Sequence, residues 1–91
     1  MSRMSGFTGS VAWNPSLIAD GNEEAKEVTV PGAALGDYCI CSFSTDVTDL
    51  NLDAHVTAAN TVTAVLQNNT GGNITLGAST LRVKVIPFDV I

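Results

Sequence analysis

The chain has 91 residues and a mass of 9.4 kDa, the size of one small domain. Apolar residues make up 45% and charged residues 14%, which excludes disorder for the bulk of the chain, because disorder needs low hydrophobicity and high charge. Four basic residues against nine acidic ones give a net charge of −5, so neither a nucleic acid nor an anionic membrane surface is an expected partner.

The first ten residues are rich in Ser and Gly, carry Arg3 and Phe7, and offer little to fold around. Residues 1–10 are therefore read as an irregular N-terminal arm and residues 11–91 as the domain. A strand is expected over residues 9–13, closed by the turn-forming pair Asn14-Pro15. Residues 16–21 read as a loop or a single helical turn. Glu23, Glu24, Lys26 and Glu27 lead directly into Val28-Thr29-Val30, and the run reads as a strand with charges at a sheet edge, where charge discourages stray pairing. Residues 31–37 form a connection with room for one helical turn. Tyr38-Cys39-Ile40-Cys41-Ser42-Phe43 has the aromatic and β-branched content of a strand. Residues 50–57 alternate most clearly, with Leu50, Leu52, Ala54 and Val56 on one side and Asn51, Asp53, His55 and Thr57 on the other. Ala58-Ala59-Asn60 is a tight link, and Asn tolerates the left-handed backbone a hairpin needs. Residues 61–67 follow, with Val62, Ala64 and Leu66 inward. Residues 68–72 read as a second hairpin loop, residues 73–76 as a short strand and residues 77–79 as a third turn. Residues 81–86 alternate again, with Arg82 and Lys84 outward, and stop at Pro87. The fold expected is all-β, a small antiparallel β-sandwich or barrel, with a meander from residue 50 to the end. Leu52, Val56, Val62, Leu66, Val83 and Val85 are expected to share its core.

The chemistry-bearing residues are few. His55 is the one histidine. Asp53, two residues earlier on the same strand face, can influence its charge, but no nucleophile accompanies the pair, so a solvated or interface histidine outweighs a general base. No enzymatic activity is expected. Cys39 and Cys41, two apart on a strand, would sit roughly 6.5–7 Å apart at Cα, at or beyond the upper limit for a comfortable disulfide. They read as reduced, buried, small hydrophobes. A C-x-C metal site would need further ligands and only His55 is available, so neither a metal nor any other cofactor is expected. Asp46, Asp49 and Asp53 lack the dense spacing of a calcium loop, and Gly71-Gly72 lacks the Lys-Ser/Thr and following helix of a phosphate loop. Residues 1–7 contain no apolar signal region and no run reaches the roughly 18 apolar residues of a membrane helix. Synthesis inside the cell is expected, and the N-x-[ST] matches at Asn68 and Asn73 are discounted as glycosylation sites. A charge-poor surface of Thr, Asn, Ser, Ala and Gly desolvates at low cost and suits protein–protein contact, and a thin core gains from a symmetric partner.

The stretch Ala54-His55-Val56-Thr57-Ala58-Ala59-Asn60-Thr61-Val62-Thr63-Ala64-Val65-Leu66-Gln67-Asn68-Asn69-Thr70-Gly71-Gly72, followed by Leu81-Arg82-Val83-Lys84-Val85, resembles small virion modules of tailed bacteriophages. Those modules occur as capsid decoration (cement) proteins, in head fibres and in some tail proteins. Trp13-Asn14-Pro15-Ser16-Leu17-Ile18-Ala19-Asp20-Gly21 and Val28-Thr29-Val30-Pro31-Gly32-Ala33-Ala34-Leu35-Gly36-Asp37 are also similar, so the resemblance covers most of the chain after Val11. His55 departs from it, standing where an aromatic residue would precede the Val-Thr-Ala-Ala-Asn-Thr-Val run. The resemblance implies a decoration protein on the outer surface of a phage head, made in the bacterial cytoplasm, with the major capsid protein as partner. The expected assembly is a homo-oligomer, with a trimer favoured. Arg3 and Phe7 of the arm, together with Trp13 and His55, are the expected capsid or subunit contacts. A tail or head-fibre component is the alternative within the same class. A small carbohydrate- or receptor-binding β-domain is the alternative from another, with Trp13, Tyr38 and His55 as sugar contacts.

Overall fold

Alternation of apolar and polar residues produces six strands in the computed structural model, which describes residues 6–89. They are β1 (Phe7–Trp13), β2 (Glu23–Thr29), β3 (Tyr38–Phe43), β4 (Asn51–Ala58), β5 (Thr61–Gln67) and β6 (Ser79–Ile86). Every strand pair is antiparallel, and the strands form two sheets, ordered β1-β6-β3 and β2-β5-β4. The two sheets face each other as a sandwich, the all-β architecture expected from the pattern. Among the described residues there is no helix, so the connection over residues 31–37 is built from turns alone.

The core lies between the sheets. Val28, Val62 and Val56 stand in one row across β2, β5 and β4, and Leu81, Val83 and Val85 of β6 meet them from the opposite side. Val62, Leu66, Leu81 and Val85 are 0% exposed, and burying each such side chain contributes about 1.5–3 kcal/mol. Leu52 is half-buried and packs against this cluster, so the six expected core residues do share it.

The sequence reading and the structure part at three places. First, β1 starts at Phe7, opposite Val85, so residues 7–10 are paired strand and not arm. Gly9 lets this strand pack closely over the end of β2 in the facing sheet: a Cβ there would lie 2.8 Å from the Thr29 carbonyl oxygen and 2.9 Å from a Val30 methyl. Second, the expected meander breaks after β5. The chain crosses to the other sheet, and β6 becomes its central strand, between β1 and β3. Third, residues 73–76 do not form a strand. Ile74 makes a single bridge with Ile18, each backbone N–H donating to the other's carbonyl at 2.8 and 3.0 Å.

One buried side chain explains the crossover. Asn68 is 0% exposed. Its Nδ2 donates to the carbonyls of Ile18 (2.7 Å) and Gly72 (2.8 Å), while its Oδ1 accepts from the Thr70 N–H (2.9 Å) and Oγ1 (2.7 Å). The segment after β5 is thereby tied to the β1–β2 connection instead of turning back as a hairpin. Asp20 adds to the tie, accepting from the Gly71 N–H at 3.0 Å. At the other end, Asn60 takes the expected left-handed backbone, φ 63°, and its Oδ1 accepts from the Gly32 N–H at 2.8 Å.

Candidate functional site

The four expected contact residues have different fates. Arg3 lies outside the described residues. Phe7 is half-buried in β1, against Gly32, whose Cβ, if it had one, would come within 2.6 Å of the ring. Trp13 is 6% exposed and meets Phe43 edge-on, with ring centroids 5.8 Å apart at 70°. It is a core residue, and the expectation of a surface contact there is corrected: the last inward position of β1 carries it into the sandwich. His55 is exposed on the outer face of β4, opposite Thr63. Tyr38 is exposed on the outer face of the other sheet. The three residues considered for sugar contacts are thus split between the core and two opposite faces, and no stacking platform is assembled from them.

The two outer faces differ in chemistry. On β1-β6-β3, the buried alternation of Leu81, Val83 and Val85 turns Arg82 and Lys84 outward on the central strand. Arg82 stands between Ser10 and Ser42, and Lys84 between Thr8 and Ile40. A shallow groove of ≈ 290 Å³ runs over this face. Tyr38 and Ile40 are 52% and 57% exposed there. Leu35 and Phe88, also exposed, belong to the segments flanking β3 and β6, and Asp37 joins those segments by accepting from the Ala34 and Phe88 N–H groups at 3.0 and 3.1 Å.

On β2-β5-β4, the outward residues include Glu23 and Glu27 of β2 and Asp53 of β4, around Ala25 and Val65. A cleft of ≈ 200 Å³ is bounded by Glu23, Asp53, His55, Val65 and Gln67. The sandwich therefore carries a basic, partly apolar face and an acidic face on opposite sides. The signal for this was present in the alternation, but it becomes a face only once β6 is placed in the first sheet and β2 and β4 flank β5 in the second.

No family model matches the chain, and no curated protein matches it.

Cys39 and Cys41 are free thiols, half-buried on the inward side of β3. Burial raises both pKa values above the ordinary thiol range. The charge of Asp37 adds to the effect at Cys39, where a hydrogen bond from the Val56 backbone pulls the other way. Asp53 adds to it at Cys41. Neither thiol is primed as a nucleophile. Among the described residues, no three His, Cys, Asp or Glu side chains gather as a metal site requires.

Proposed function

We propose that the chain is a structural protein of a tailed-phage virion, a decoration protein that binds the outer surface of the head as a homo-oligomer, a trimer being favoured. Its partner is the major capsid protein. The observation that carries this reading is the outer face of β1-β6-β3, where Tyr38 and Ile40 are 52% and 57% exposed beside the outward Arg82 and Lys84 of β6. Large exposed apolar side chains beside two cations suit a protein interface, because a partner can cover the apolar area and offer carboxylates to the charges. The sequence resemblance supplies the shell as partner.

The mechanism is linkage. A ligand that binds the assembled shell and not its dissociated subunits stabilises the shell by mass action. Many copies on one lattice turn a modest contact into a strong one. The test is quantitative mass spectrometry of purified virions, together with rebinding of the protein to shells stripped of it. A copy number near that of the major capsid protein, with saturable rebinding, supports decoration. A handful of copies and no rebinding assigns the chain to the tail or a fibre instead.

A further inference from the structure

We infer that copies of this chain associate head to tail, the basic face of β1-β6-β3 on one copy seating on the acidic face of β2-β5-β4 on the next. The inference deepens the homo-oligomer of the reading above and does not depend on the shell.

Charge selects this arrangement. The neighbours of Arg82 and Lys84 across the strands are Thr8, Ser10, Ile40 and Ser42, none of them charged. On the opposite side, Ala25, Val65 and Asp53 form one row of the sheet, and Glu23 and Glu27 flank it on β2. Two basic faces brought together set Arg82 and Lys84 against their own copies. Two acidic faces set Glu23, Glu27 and Asp53 against theirs. Only the unlike pairing brings opposite charges together on both sides, so a symmetric face-to-face dimer is disfavoured and a heterologous contact favoured.

Shape and polarity agree with the charge. The acidic cleft between Glu23, Asp53 and Gln67 is open to solvent and floored by Val65. It can take the end of a long basic side chain, whose methylenes would lie on Val65 while the charge reaches the carboxylates. Tyr38 and Ile40 give the basic face apolar area to cover, and Ala25 and Val65 give the acidic face apolar area to cover it with. A heterologous contact either closes into a ring or repeats as a stack.

The test is sedimentation of the full chain, alone, at about 0.01 M and about 1 M salt, where the screening length falls from about 30 Å to about 3 Å. Association is expected at low salt and should weaken by about tenfold at high salt, as two or three exposed ion pairs of ordinary strength would. Two variants then decide which faces meet. Arg82→Glu/Lys84→Glu makes both faces acidic, and Glu23→Lys/Asp53→Lys makes both basic. All four positions are exposed, and unchanged melting temperatures check that the variants fold. Each variant alone should be monomeric, and an equal mixture should associate again, because each now offers the face the other lacks. Three outcomes overturn the inference: a wild-type chain that stays monomeric at low salt, an oligomer that persists in both variants, or a mixture that fails to recover association. These outcomes bear on the homo-oligomer alone, and the shell as partner stands or falls separately on the rebinding measurement.

Discussion

Asn68 holds the carbonyls of buried Ile18 and of Gly72, and its own oxygen is satisfied by Thr70. Asn68→Ala would remove all four bonds and leave the carbonyl of Ile18, a residue 2% exposed, with the Ile74 N–H alone. The expected loss is about 1–3 kcal/mol, read from urea unfolding, and no loss would show that the crossover is held by something else. The thiols allow a second residue-level prediction. Cys39 and Cys41 have raised pKa values in the folded chain, so above the ordinary thiol range the unfolded chain releases protons that the folded chain keeps. Stability contributed this way is whole at neutral pH and falls as pH rises beyond about 8.5. The melting temperature of the wild type should therefore drop more steeply over that range than that of Cys39→Ser/Cys41→Ser. Dithiothreitol should leave the wild-type melting temperature unchanged, and native thiols should alkylate more slowly than those of the urea-unfolded chain.

Strands were legible wherever the period of two was unbroken. The bounds of β3 and β5 follow from residues 38–43 and 61–67 as they stand, and β4 shifts by one residue. The ends of the chain were less legible because their patterns are local while their partners are distant. Phe7-Thr8-Gly9-Ser10 has no apolar alternation of its own and becomes strand only through its pairing with residues 82–85 of β6. Residues 73–76 show the converse, a short apolar alternation that pairs only at Ile74, with Ile18. The contact face was hidden for a related reason: alternation says which residues point outward, but not which strands lie side by side. Trp13 misled because a lone aromatic residue near a turn reads equally well as surface or core. The same geometry grades the core mutations. Leu66→Ala on the central strand β5, where Leu66 is 0% exposed, should cost about 2–5 kcal/mol in thermal or urea unfolding. Leu52→Ala on the edge strand β4 should cost clearly less, because Leu52 is only half-buried. Equal costs would contradict the placement of β4 at the edge. On the other edge, Glu24 and Lys26 of β2 are half-buried on the inward side, beside Leu66 and Ala64. Inward charges at an edge discourage a further strand from adding there, so growth of the assembly through β2 is not expected.

At the scale of the whole molecule, folding and binding can be separated at the N-terminus. The pairing of Phe7 with Val85 and its contact with Gly32 make residues 7 and 8 part of the sandwich. Deleting residues 2–8 should therefore lower the melting temperature and confuse a loss of binding with a loss of fold. Deleting residues 2–5 stops short of β1 and removes Arg3, the arm residue read as a charge contact. This shorter deletion should leave the melting temperature unchanged while weakening rebinding to stripped shells. Shells carrying the wild-type protein should then survive heat and osmotic shock that burst bare shells, and shells exposed to the shortened protein should fall between the two. Stability follows from occupancy, so the protection should rise with free protein concentration and level off at saturation. If the shortened chain binds and protects as well as the full one, the arm plays no part and the contact belongs to the sheet faces alone. If bare and decorated shells prove equally robust, the decoration reading gives way to a tail or fibre component.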